Sequence, residues 1–185
     1  MIKSIKLLIM DVDGTLTDGK IYIGESGEAF KAFNIKDGCG IHDLLPNVNR
    51  EWKNQKDNTN LKGIIPIIIT ARKSKALENR CNELGISHLY QGCRNKVGKI
   101  EQLAEEFSLI PEVKDGERFY EEIAYIGDDL IDLPAMKICG TVGCPADAVK
   151  QVKEVSDFIS DYDGGNGAVR DFIEWLIGDE VIEFN

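Results

Sequence analysis

The sequence predicts an α/β fold, a doubly wound parallel sheet covered by helices. Three observations carry that expectation. Short apolar runs alternate with longer segments of helical period. Polar or Gly-containing turns follow the apolar runs. The 185 residues, 43% apolar and 29% charged, suit one globular core.

Ile5 to Met10 is the first buried strand, an unbroken apolar run ending at Asp11. From Lys20 to Phe33 two β-prone runs flank Gly24-Glu25-Ser26-Gly27, a hairpin signal. Pro46 to Gly63 is polar, rich in Asn and Lys and without period, so it reads as a surface loop or insertion. Ile64 to Ile69 is the next strand, followed by helical spacing over Lys73 to Leu84 and a short strand at His88 to Tyr90. Lys96 to Phe107 is helical, and Pro111 to Glu122 reads as a second exposed connection. Ala124 to Ile126 and Thr141 to Val142 are later strands, with helical spacing over Leu130 to Ile138 between them. Asn166 to Ile177 is the last helix, with Ala168, Val169, Phe172, Ile173, Leu176 and Ile177 on one side.

Charge excludes several function classes. Lys and Arg total 22 against 32 Asp and Glu, a net charge of −10. Such a chain has no general attraction to nucleic acid or anionic lipid, and no basic cluster overrides that. The apolar runs are too short to span a bilayer, and the first residues lack a secretory cleavage site. Five cysteines without a C-x-x-C pair argue for reduced, mostly buried thiols in a cytoplasmic protein. Two histidines cannot build a multi-histidine metal centre.

The informative residues are carboxylates at strand ends, where ligands bind in a doubly wound sheet. Asp11-Val12-Asp13-Gly14-Thr15 follows the first strand, and Gly127-Asp128-Asp129-Leu130-Ile131-Asp132 follows the strand ending at Ile126. Thr70 ends the Ile64 to Ile69 strand, and Lys96 opens a helix beyond His88 to Tyr90. Singly, each has a structural explanation as a turn, a cap or a solvated residue. Together they suit phosphoryl transfer. Crowded carboxylates call for a divalent cation, and all-oxygen ligands favour Mg²⁺. One acid can attack phosphorus, and a second can protonate the leaving oxygen and then activate water. Thr70 and Lys96 can hold the non-bridging oxygens.

In these stretches the chain resembles the haloacid dehalogenase superfamily: Asp11 to Thr17, Thr70, Lys96 and Gly127 to Asp132 are similar to its four motifs. Asp18 to Tyr22, Lys31 to Gly38, Thr70 to Lys73, His88 to Gly92 and Gly164 to Arg170 resemble the 3-deoxy-D-manno-octulosonate 8-phosphate (KDO 8-phosphate) phosphatase family. The resemblance implies a Rossmann-like, capless phosphatase domain over residues 1–185, dependent on Mg²⁺ and acting on a small sugar-acid phosphate in lipopolysaccharide biosynthesis. It implies a homotetramer built around the 20–33 hairpin, with the 178–185 tail approaching a neighbouring subunit's site. Carried over residue by residue, Asp11 is the nucleophile and a metal ligand. Asp13 is the acid/base and binds metal through its carbonyl, Asp128 is the third ligand, and Asp129 and Asp132 orient ligands from behind. Thr70 and Lys96 match phosphate-holding positions. A loop of Asn34, Ile35, Lys36, Asp37 and Gly38 matches the part that meets the sugar, and Arg72 and Arg80 its basic contacts.

The chain departs from the family pattern at three places. His42 stands where the family carries Arg, Ala71 replaces a Gly, and Pro46 to Gly63 is longer than expected. The departures bear on the sugar and leave the phosphoryl-transfer residues intact. His42 has either a substrate role or a space-filling one, and a nine-carbon sugar-acid 9-phosphate stays open as the alternative substrate. A non-catalytic subunit of a larger enzyme would sooner have lost Asp11 or Asp13.

Overall fold

In the chain's computed structural model, which describes residues 5–48 and 51–178, the first strand lies at the centre of the sheet. This strand, β1 (Leu7–Met10), is apolar at all four positions and fully buried, so both its faces are covered. A hairpin of β2 (Tyr22–Gly24) and β3 (Gly27–Phe30) follows, turning at Glu25 and Ser26 as the sequence predicts. Next come the short helix α1 (Ile35–Cys39) and two further helical turns that bury Ile41, Leu44 and Leu45. The remaining elements are β4 (Glu51–Lys53), β5 (Asn60–Lys62), β6 (Ile65–Thr70), α2 (Lys75–Glu83), β7 (His88–Gln91), α3 (Lys96–Glu106), β8 (Glu112–Lys114) and β9 (Glu117–Ile126). The chain continues through α4 (Leu133–Met136), β10 (Cys139–Cys144), α5 (Lys150–Lys153), β11 (Phe158–Ile159) and α6 (Ala168–Ile177).

The main sheet has the order β11-β10-β9-β1-β6-β7, parallel throughout, with β8 added antiparallel to β9. Helices cover both faces. Leu8 and Met10 pack with α2 and α6 residues such as Leu77, Val169 and Phe172, whereas Leu7 and Ile9 pack with Ile100 and Leu103 of α3 and Ala135 of α4. The alternation of a strand thus divides one apolar run between two cores. Met10 lies level with Ile68 and Ile126, so Asp11 follows at the same height as Ile69 and Gly127. Parallel register therefore gathers the acidic turns and Thr70 at one sheet edge.

Three sequence expectations are corrected. Within the 46–63 segment, read as a surface loop or insertion, residues 51–62 form a hairpin rather than an irregular loop: β4 and β5 pair antiparallel, with Trp52 opposite Leu61. Pro111 to Glu122 is not merely a connection. Asp115 and Gly116, both at positive φ, turn β8 into the ten-residue β9; an Asp-Gly turn matches the right-handed twist of the strands it joins. The Asn34 to Gly38 stretch is helical from Ile35 onward rather than a loop, because Asn34 caps α1 by accepting from Lys36 N–H at 2.8 Å. Among the described residues no helix is long and apolar enough to cross a membrane. The expectation for the C-terminal tail falls on residues 179–185, outside those described.

Candidate active site

The turn after β1 is wired to itself. The N–H groups of Thr15 and Thr17 donate to Val12 C=O rather than to that of Asp13, the carbonyl that the resemblance assigns to metal. Gly14, at φ +102°, carries the chain beneath Asp128, where a Cβ would meet the carboxylate. Thr15 Oγ1 donates to Asp128 Oδ1 at 3.0 Å. Across the sheet, Asp11, Asp128 and Asp132 each offer an oxygen within 4.8 Å of the others.

Asp132 organises this cluster. Its Oδ1 accepts from Lys96 Nζ and from Tyr125 Oη, both at 2.6 Å, and its Oδ2 accepts from Asp128 and Asp129 N–H at 3.2 Å. Both of its oxygens are thus engaged by protein, and its side chain is fully buried behind the turn. Asp129 is exposed and accepts from Leu130 N–H at 2.7 Å. Lys96 Nζ also donates to Asp11 Oδ1 at 2.5 Å, so a single buried ammonium serves two carboxylates.

Asp11 and Asp128 are held near protonation. Burial, then the charge of Asp132, raises Asp11 to about 7 despite the opposing pull of Lys96. Burial, then the charges of Asp11 and Asp132, raises Asp128 to about 7. Two carboxylates so placed lack enough positive charge from the protein alone. The oxygen-only donor set, with both acids facing one point, fits Mg²⁺ and not a soft metal.

Asp13 is gripped separately. Lys31 Nζ donates to its Oδ1, while Oδ2 faces Thr70 Oγ1 at 3.5 Å and Arg72 Nε at 3.9 Å. Thr70 Oγ1 also accepts from Arg72 N–H at 3.2 Å. Arg72 is paired with Glu28 of β3 at 2.7 Å. The structure thus brings Asp11, Asp13, Thr70, Arg72, Lys96, Asp128 and Asp132 to one sheet edge.

The predicted sugar contacts divide. Asn34, Ile35 and Lys36 line a cleft of about 570 Å³ with Asp18, Phe33 and Asn166. Arg80 packs against Gly38, where a Cβ would lie 2.1 Å from Nη2, and pairs with Glu83 at 2.9 Å. Asp37 is buried beneath the start of α6. Its Oδ1 accepts from Arg170 N–H at 2.8 Å, and burial raises its pKa against the backbone N–H groups there. That capping role accounts for Oδ1, whereas Oδ2 is buried without a hydrogen-bond partner among the described residues. His42 is exposed and pairs with Asp43 at 2.6 Å.

Sequence reasoning missed four contributors: Thr15, Glu28, Lys31 and Tyr125. Thr15 lay within the first motif and could have been chosen. Tyr125 alternates in phase with Ile123 on β9, a signal that marks its face but not its hydrogen bonds. Lys31 opens the Lys31 to Gly38 stretch that carries the family resemblance, but neither it nor Glu28 shows a local pattern that points to the site, since only the hairpin's return over the site brings them in.

Fold and site together define a hydrolase of the haloacid dehalogenase superfamily. More narrowly, the chain belongs to the KDO 8-phosphate phosphatase family. It is 41% identical over 175 residues to the 3-deoxy-D-manno-octulosonate 8-phosphate phosphatase KdsC of Escherichia coli K12, covering 95% of this chain and 80% of that one. The solved structure of the Yersinia pestis phosphatase of that name matches with a TM-score of 0.76 and 39% identity, covering 95% of this chain and 81% of that one. That of Moraxella catarrhalis, in complex with magnesium, phosphate and KDO, matches with a TM-score of 0.75 and 36% identity, over 95% and 87% of the two chains. No protein-family model matches the chain.

Proposed function

We propose that this chain is a Mg²⁺-dependent phosphomonoesterase that hydrolyses KDO 8-phosphate to KDO and inorganic phosphate through an aspartyl-phosphate. The observation that carries this reading is the meeting of Asp11, Asp128 and Lys96 at one edge, with Asp13 and Thr70 opposite. Lys96 holds Asp11 Oδ1 and directs the other oxygen towards phosphorus. As that bond forms, the bond from phosphorus to the sugar oxygen breaks, and Asp13 gives the departing oxygen its proton. Asp13 then takes a proton from water as the water oxygen attacks phosphorus, which releases phosphate and restores Asp11. Thr70 and Lys96 bind the non-bridging oxygens, where charge spreads in the transition state. Asp11, Asp128 and the carbonyl of Asp13 would hold Mg²⁺, which when bound would supply positive charge to offset the phosphoryl oxygens.

The sugar acid is met by the Asn34 to Gly38 segment and by Arg72 and Arg80. Asp37 and Gly38 contribute by shaping the floor of this part of the site, with Gly38 making room for Arg80. The chain works as one phosphatase domain in the cytoplasm and assembles as a homotetramer through the 20–33 hairpin. Ile21, Ile23 and Phe30 of that hairpin are each more than half exposed, and this supports the assembly by leaving apolar surface for a neighbouring subunit to cover.

Purified protein with Mg²⁺ should hydrolyse KDO 8-phosphate with a higher kcat/KM than a nine-carbon sugar-acid 9-phosphate. Asp11→Asn should fold and release no phosphate. Preference for the nine-carbon compound would overturn the substrate, and equal release by the mutant would overturn the mechanism.

A further inference from the structure

Four charged side chains form an alternating chain above the cluster. Lys31 Nζ bonds Asp13 Oδ1 and lies 3.3 Å from Glu28 Oε2, and the same Glu28 oxygen takes Arg72 Nη2 at 2.7 Å. Arg72 Nε closes the ring at 3.9 Å from Asp13 Oδ2. The Lys31 side chain is only 4% exposed, unusual for an ammonium group and tolerable here because two carboxylates surround it. Glu28 and Lys31 come from β3 and the residue just beyond it, an element that reaches the site from outside the main sheet.

The two ends of Asp13 are therefore unlike. Oδ1 is pinned by Lys31, whereas Oδ2 is left on the side where Thr70 and Arg72 stand. An acid/base must keep one oxygen within hydrogen-bond reach of the proton it transfers, and a carboxylate free to rotate about χ1 and χ2 spends much of its time elsewhere. Thr70 at 3.5 Å is too distant to hold it.

We propose that Lys31, braced by Glu28, is a positioning residue for Asp13, pinning one carboxylate oxygen so that the other points at the bridging oxygen of the substrate. The hairpin thereby supplies part of the catalytic geometry besides any part in assembly. The proposal rests on the reading of Asp13 as the acid/base.

A leaving-group comparison tests it. Sugar alkoxide departs badly without a proton, whereas 4-nitrophenolate departs without one. In single-turnover measurements on the intact protein with Mg²⁺, Lys31→Met should slow release of KDO from KDO 8-phosphate about 10²-fold, within the range that acid catalysis contributes. The burst of 4-nitrophenolate from 4-nitrophenyl phosphate should change by less than about threefold, as should KM for the sugar phosphate, and Lys31→Arg should recover most of the loss. If Lys31→Met fails to fold, Glu28→Gln, which loosens Lys31 without removing it, should show the same pattern at about tenfold. Equal losses on both substrates, or no loss on the sugar phosphate, would overturn the proposal. Asp13→Asn separates it from the reading beneath: a leaving-group dependence in Asp13→Asn but not in the Lys31 and Glu28 variants refutes the positioning role alone. Wild-type KDO release by Asp13→Asn would refute both.

Discussion

Gly14 and Asp128 are packed so closely that a Cβ built on the glycine would lie 2.1 Å from Asp128 Oδ2. The first motif therefore needs glycine for two independent reasons, the contact and a φ of +102°. The contact ties the turn after β1 to the turn after β9, the two segments that would share one metal ion.

Gly14→Ala should consequently damage metal binding more than folding. The strained φ costs on the order of 1 kcal/mol, while the displaced Asp128 carboxylate leaves the donor set incomplete. Calorimetric titration should show Mg²⁺ affinity reduced at least about tenfold. Unchanged Mg²⁺ affinity would show that Asp128 is not a ligand.

Lys96 is the next point of leverage, because it reaches Asp11 at 2.5 Å, Asp132 at 2.6 Å and Tyr125 Oη at 3.1 Å. Lys96→Met keeps the length of the side chain and leaves two buried carboxylates without their cation. Breaking a buried pair in this way costs roughly 3–5 kcal/mol. Urea unfolding in EDTA should register that loss, and kcat should fall by about 10²–10³ with removal of a transition-state donor. Wild-type stability in EDTA would mean that the ammonium does not offset those charges.

Much of this site was legible in sequence because parallel register converts a linear rule into a spatial one. Asp11, Thr70 and Asp128 each stand just beyond a buried apolar run, so finding the runs was enough to bring them to one edge. Lys96 follows from the same rule one element later. What resisted reading were contacts made by elements outside the sheet. Lys31 and Glu28 reach Asp13 and Arg72 only because a two-stranded hairpin folds back over the site, and nothing in their own neighbourhood states where it lands. The β4 and β5 strands were hidden for a different reason. Each has three residues with one apolar side chain, too few for alternation to register. The Asp115-Gly116 turn was a readable signal that the polar surroundings masked.

The β4–β5 hairpin is anchored at the end of the sheet opposite the carboxylates, and its removal from the core should leave catalysis alone. Trp52 lies 6.1 Å from the Phe107 ring and donates from Nε1 to Gly63 C=O at 3.2 Å; Lys6, just before β1, sits 5.2 Å over its ring. Trp52→Ala should lower unfolding free energy by about 2 kcal/mol, less than a fully buried tryptophan would. Its kcat should stay within about twofold of wild type. A large fall in kcat with little change in stability would place this hairpin in the catalytic machinery instead.

If Asp11 and Asp128 hold the metal as proposed, proton and metal compete for the same oxygens, and the pH dependence of stability reads the site directly. In the metal-free protein Asp11 and Asp128 are both raised from 3.8 to about 7, first by burial and then by neighbouring carboxylates. A raised carboxyl pKa means that between 3.8 and about 7 the folded state holds more protons than the unfolded state. The contribution of these groups to stability is therefore complete below 3.8, declines as pH rises through that window, and is lost above about 7. Mg²⁺ runs the other way, since it binds the carboxylates only after their protons leave. Melting curves in EDTA should show wild type losing more stability than Asp128→Asn between about pH 4 and pH 7, because the variant lacks one of the two titrating groups. The rise in Tm on adding Mg²⁺ should grow across the same interval and level off above it. A Mg²⁺ increment that is flat with pH, or equal in wild type and Asp128→Asn, would separate these two acids from the metal.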